Sequence, residues 1–133
     1  MDYVALKAEL DAGHPDTGVY NVDDFLALAQ INLANRTRVK LSMTGREVRE
    51  QTDNTEYNAL SAALQGNWIA FTQPNAILDP RPGSVDEQIT FSIFAAGTTR
   101  TNLATARNET VSRAVELGFG DVIIGDIQNA RAL

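Results

Sequence analysis

The sequence predicts an all-α fold: a compact single domain of six to eight short helices with one proline-rich loop. Three observations carry that expectation. Apolar residues recur at spacings of three and four over much of the chain, most regularly at Tyr57, Leu60, Ala63, Leu64, Trp68 and Phe71. Helix-starting patterns recur as well, with Thr44 three residues before Glu47 and Ser84 three before Glu87. Strict alternation of charged and apolar side chains is confined to Arg36–Ser42, a stretch too short to make a sheet unless a partner strand is supplied.

In chain order, Tyr3, Val4, Leu6 and Leu10 place a first helix over residues 2–12. Gly13 stops it, and Pro15 follows in the turn cluster His14-Pro15-Asp16-Thr17-Gly18. Asn21 stands at a cap position before Asp23 and Asp24, whose charge favours the first turn of a second helix over about 22–35. Thr44 and Glu47 start a short helix to about Gln51. Asp53-Asn54-Thr55-Glu56 then restarts a helix that Gly66 weakens and Pro74 closes. Residues 74–83 hold three of the four prolines and read as the loop. Ser84 caps the next helix, with Glu87 completing a second capping box and Ala95-Ala96-Gly97 ending it. Thr99 opens a short helix through Arg107. Asn108 or Thr110 opens another, closed by Gly118, and Asp121 caps a last helix that Gly125 weakens.

Composition narrows the function. With 133 residues and a hydrophobic fraction of 44%, the chain can bury a core without cross-links. It has no cysteine, which removes thiol catalysis, thiolate metal sites and disulfide scaffolds together. The acidic, amphipathic start Met1-Asp2-Tyr3-Val4 lacks the pattern of a signal peptide, and no apolar run is long enough to span a bilayer, so aqueous surroundings are expected. A formal net charge of −6 disfavours nucleic acid as the main partner. That charge is segregated. Asp2, Glu9, Asp11, Asp16, Asp23 and Asp24 face a single Lys7 in the first 24 residues, whereas Arg36, Arg38, Lys40, Arg46 and Arg49 face only Glu47. Two readings stand: separate solvated surfaces, or head-to-tail contact between copies.

No motif singles out a catalytic centre or a cofactor. His14 beside Asp16 lacks the convergent ligands of a metal site and reads as a turn residue whose ring bonds the backbone. Glu47 and Glu50 share a helix face but are flanked by Arg46 and Arg49, which points to surface ion pairing. Gly118-Phe119-Gly120 follows a helix and lacks the context of a phosphate loop. The aromatic residues Tyr57, Trp68, Phe71, Phe91, Phe94 and Phe119 sit on apolar faces and read as core, with one or two available to anchor an interface. Thr110-Val111-Ser112-Arg113-Ala114-Val115 resembles the start of a repressor recognition helix. The alternative function is therefore a small helix-turn-helix-like DNA-binding regulator using residues 99–118, although Glu109, Glu116 and Asp121 would repel phosphates.

A wider resemblance covers nearly the whole chain. The segment from Arg107-Asn108-Glu109-Thr110 through Glu116-Leu117-Gly118, and then Val122-Ile123-Ile124-Gly125-Asp126-Ile127-Gln128-Asn129-Ala130-Arg131, looks like a family found in tailed bacteriophages. Leu6-Lys7-Ala8-Glu9-Leu10, His14-Pro15-Asp16-Thr17-Gly18-Val19-Tyr20 and Asn35-Arg36-Thr37-Arg38 carry the same likeness. Such chains resemble small virion components, among them the head-to-tail connector (adaptor) proteins of the neck. The resemblance implies a non-enzymatic structural protein of the virion, assembled in the host cytoplasm. Its partners would be copies of itself in a ring, the portal protein and tail-side neck proteins, with no membrane and only incidental contact with packaged DNA. The interface residues expected on this reading are Arg36, Arg38, Lys40, Arg46 and Arg49, together with Arg131 and Leu133 on a C-terminal helix (about 121–133) that engages a neighbouring subunit.

Overall fold

Nine helices and four short strands succeed one another in the computed structural model, which describes residues 1–133. In order they are α1 (Tyr3–Ala12), α2 (Asp24–Asn32), β1 (Ala34–Val39), β2 (Met43–Thr44), α3 (Gly45–Glu50), α4 (Asn54–Ala59) and α5 (Ala62–Phe71). Then come β3 (Ile77–Leu78), α6 (Val85–Ile93), α7 (Thr98–Ala106), β4 (Asn108–Ser112), α8 (Arg113–Glu116) and α9 (Ile124–Arg131).

The all-α expectation is overturned. The fold is mixed, 53% helix and 13% strand, with two small antiparallel sheets. The physical reason lies in partners remote in sequence. The alternating segment at 34–39 pairs with β4, so the strand expected to be lonely is not. β4 carries Thr110 and Val111, β-branched residues that suit a pleated strand and lose rotamer freedom in a helix. The helix expected from residue 108 or 110 is therefore a strand followed by one turn, α8, capped by the Ser112 hydroxyl. The second ribbon pairs Met43 with Leu78 and Thr44 with Ile77, so part of the stretch read as the proline-rich loop is a short strand.

Three helix boundaries also differ from the sequence reading. The segment from Asp53 is two helices, broken at Leu60 and restarted by the Ser61 cap, while Gly66 sits inside α5 without interrupting it. Asp23, and not Asn21, caps α2, with its carboxylate accepting from the N–H groups of Phe25 and Leu26. At α9 the carboxylate of Asp126 accepts from the Ile123 N–H, so Asp121 is not the cap. The Thr44–Glu47 capping box forms as read. The Ser84 half of the second forms too, but Glu87 turns its carboxylate to the Gly83 N–H and to Arg107.

The packing falls into two units. The first joins residues Met1–Arg38 to Thr110–Leu133, bringing the two ends of the sequence into one body. Its core is Leu6 and Leu10 of α1, Tyr20, Ala27 and Ile31 of α2, Ala114, Val122, and Ile127 and Ala130 of α9. α9 packs against both α1 and α2. Its apolar stripe therefore has partners inside its own chain.

The second unit is Val39–Glu109. Its core centres on Trp68, which is fully buried, meets Phe94 edge-on at 4.8 Å between ring centroids, and donates its Nε1–H to Thr52 Oγ1 at 2.9 Å. Met43, Val48, Leu78 and Ile93 complete it. Gly45 is required here: a Cβ at this position would lie 1.9 Å from the Gln73 carbonyl oxygen, because α3 begins hard against the end of the α5 segment.

Candidate interaction surface

Within the first unit, α2 is apolar on more than one side. Ala27 and Ile31, one turn apart, face the core and are fully buried. Leu26, Ala29 and Leu33, at spacings of three and four, line a shallow open groove with Thr17, Asn21 and Gln30. Phe25 is 72% exposed and Leu26 54%, while Val19, Val22 and Leu33 add further bare apolar surface. The groove is held in shape: the Asn21 N–H donates to Gln30 Oε1 at 2.8 Å, and Arg131 donates to the carbonyls of Asn21 and Val22 and to Asp24 Oδ1. A helix apolar on more than one side carries more apolar surface than a single packing face covers. Here one side of such a helix is open to solvent.

A chain of ion pairs also runs through the first unit. Arg113 grips Glu9 with two donors at 2.8 and 3.0 Å, and the Tyr20 hydroxyl donates to the same carboxylate at 3.0 Å. Arg113 also reaches Glu116 at 3.1 Å. Arg36 pairs with Glu116 and with Asp16, each at 2.8 Å. Burial would push the Glu9 carboxyl up, but the hydrogen bonds from Arg113 and Tyr20 outweigh it and hold it below its ordinary value. The hydrogen bonds from Arg36, offset in part by burial and reinforced by Arg113, hold Glu116 at about 2. Burial, and then the hydrogen bond to Glu9, raise the Tyr20 hydroxyl above its ordinary range.

His14 closes this region. Its Nδ1 accepts from the backbone N–H groups of Asp16 (3.0 Å) and Thr17 (3.3 Å), which places the ring proton on Nε2. That Nε2 is buried without a hydrogen-bond partner. The ring stands edge-on to Tyr20 at 5.8 Å. Asp16 spends its carboxylate on Arg36, not on the imidazole. Glu47 and Glu50 bond Thr44 and Arg46 respectively, and no group of three or more His, Asp or Glu side chains is arranged to hold a metal ion.

The expected interface residues have mixed placements. Arg36 and Arg131 are committed to partners in the first unit, and Arg38 also has a partner within the chain. In the second unit Lys40 lies 3.5 Å from Glu47, and Arg49 donates to Thr72 Oγ1 and the Ile69 carbonyl. Arg46 is exposed and only loosely paired with Glu50 at 3.3 Å, and Leu133 is 66% exposed. The basic segment is thus divided between the two units. Part of the acid–base segregation seen in the sequence is satisfied within the chain, where Asp16 meets Arg36, Glu9 meets Arg113 and Asp24 meets Arg131.

The second unit contains a cleft of about 260 Å³ that the sequence did not indicate. Met43, Val48, Phe71, Leu78 and Leu103 give it an apolar floor, while Pro80, Pro82, Asp86, Glu87, Phe91, Arg100 and Arg107 form its rim. The rim is pinned by the Asp79–Arg81 ion pair at 2.6 Å, by the Asp79 N–H donating to Asp86 at 2.7 Å, and by Arg107–Glu87 at 2.8 Å. Asp79 is held at about 2 by its hydrogen bonds from Arg81. Arg100 has no carboxylate partner; its guanidinium lies 3.4 Å over the Phe91 ring centroid. No helix is long and apolar enough to cross a membrane. No family model, curated protein or solved structure matches the chain.

Proposed function

We propose that this chain is a structural subunit of a larger protein assembly, and that the assembly is the neck of a tailed phage, where copies would form a ring between portal and tail. The observation that carries the assembly reading is the bare apolar side of α2, with Phe25, Leu26 and Leu33 beside Val19 and Val22. Exposed apolar residues gathered on one ordered element mark a surface that is covered in the working state. The Arg131 contacts that brace this region cost long side-chain freedom and make a preformed platform, which lowers the ordering cost of association. Placement in a phage neck rests on the sequence resemblance alone.

The carboxylates that acid–base chemistry would recruit, Glu9, Glu116 and Asp79, are held in their charged form by arginines, as suits ion pairs that fasten a fold. The DNA-binding alternative needed a recognition helix from Thr110, where the chain forms β4 and a single helical turn. It is not pursued.

The test is co-assembly. The purified chain mixed with the portal protein of its phage gives a discrete ring-sized complex in mass measurements, and Phe25→Asp with Leu26→Asp weakens it while leaving the helical spectrum of the free chain unchanged. Failure of the unmodified chain to associate at any ratio would refute the neck assignment.

A further inference from the structure

We infer that the cleft of the second unit is the socket for Phe25 of a second copy of this chain, so that copies join head to tail. This deepens the assembly reading above and rests on it. Size comes first. At about 260 Å³ the cleft falls below the usual span for small-molecule sites, roughly 300–1,000 Å³, and suits one large side chain. Its floor is apolar, as an anchor residue requires. Among the aromatic residues Phe25 alone is more than half exposed, and it stands at the head of the bare apolar side of α2.

Charge offers one match as well: the rim acids Asp79 and Glu87 are paired with Arg81 and Arg107, and Asp86 accepts from the Asp79 N–H, which leaves Arg100. Arg100 on the rim has no carboxylate partner and is propped on Phe91. Phe25 is flanked by Asp23, whose Oδ1 caps α2 and whose other oxygen has no bond within the chain. A carboxylate two residues before the anchor therefore meets the Arg100 guanidinium, which has no carboxylate partner in its own chain. An apolar projection and a complementary cleft at two different places on one molecule form a heterologous contact. Repetition of that contact closes a ring or runs on as a filament.

The experiment uses two full-length variants in sedimentation velocity over a concentration series. Phe25→Asp removes the projection and keeps the socket. Ala104→Trp, at an exposed lining position on α7, fills the socket and keeps the projection. Wild type is expected to form multimers, and each variant alone to bind itself roughly thirtyfold more weakly, the loss of one central anchor. An equimolar mixture of the two is expected to recover one intact contact and stop at a 1:1 heterodimer. Arg100→Gln should weaken wild-type association and flatten its salt dependence. If Ala104→Trp associates like wild type, or if the mixture stays monomeric, the socket is wrong. In the first case α2 is covered by something else and the assembly reading stands. A wild-type chain that is monomeric at every concentration also overturns the socket, whereas the neck assignment is decided separately by the portal mixture. Circular dichroism of both variants shows that loss of association is not loss of fold.

Discussion

Replacing Arg113 by Met tests the ion-pair chain of the first unit, because it strands an acid that the fold has buried. Glu9 is 8% exposed and Arg113 retains 18% of its side-chain surface, so both lie outside the regime where solvent screening dominates. Methionine keeps most of the aliphatic stem and removes three charge-assisted hydrogen bonds, two to Glu9 and one to Glu116. Glu116 keeps Arg36, whereas Glu9 keeps only the Tyr20 hydroxyl. Breaking a buried pair from one side costs about 3–5 kcal/mol, and the surviving Tyr20 bond brings the expectation here to about 2–4 kcal/mol. That is a large part of a typical domain's stability.

The pH dependence gives this prediction a second readout. In wild type the folded-state value of Glu9 is depressed, so its contribution is present above the unfolded value, about 4.3, and is lost as pH falls through the folded value. In Arg113→Met the burial effect, the largest of the causes, is opposed chiefly by the Tyr20 hydrogen bond, and the carboxyl rises. The stability deficit of the variant should then shrink as pH falls from 7 toward 4. Urea denaturation at both pH values measures it. Adding Glu9→Gln to Arg113→Met should restore more than half of the loss at pH 7, because the stranded charge is gone. A double variant as unstable as the single one, or a deficit independent of pH, would refute the stranded-charge account.

Other outcomes follow from single contacts. Gly45→Ala drives a methyl group to 1.9 Å from the Gln73 carbonyl oxygen, and thermal unfolding should show a loss of more than about 3 kcal/mol or no folded chain at all. Trp68→Phe forfeits the bond to Thr52 and leaves space beside Phe94, so denaturant titration should register about 2–3 kcal/mol. Thr44→Ala removes the hydroxyl half of the α3 capping box, for about 1 kcal/mol in the same assay. Glu116, held at about 2 by Arg36 and Arg113, contributes stability that is present above about 4.3 and is lost as pH falls through 2. Glu116→Gln should flatten the acid limb of the stability–pH curve over that window.

The local grammar of this chain was legible without a structure. Thr44, Asp53 and Ser84 are cap residues whose side chains bond the first turn, and such bonds need only a few neighbouring residues. The turn at His14 with its ring on the backbone is local for the same reason. A broad apolar α2 was readable too, because helical spacing exposes it.

What depended on distance in the sequence could not be read. Residues 34–39 became a strand because 108–112 lie beside them, and 108–112 left the helix that their own neighbours suggested. The strand-like alternation and the β-branched Thr110 and Val111 were each visible. Nothing in either segment named the other. The same holds for Glu9 with Arg113 and Asp24 with Arg131, pairs more than a hundred residues apart that cancel charges the sequence displayed as segregated. Which side of α2 stays bare, and that a cleft opens beside Arg100, are likewise consequences of packing. The sequence determined how several segments begin and how their apolar residues are spaced, because those terms act within a turn or two. Only the tertiary structure decided which faces meet, because burial and ion pairing are settled by whatever the rest of the chain brings alongside.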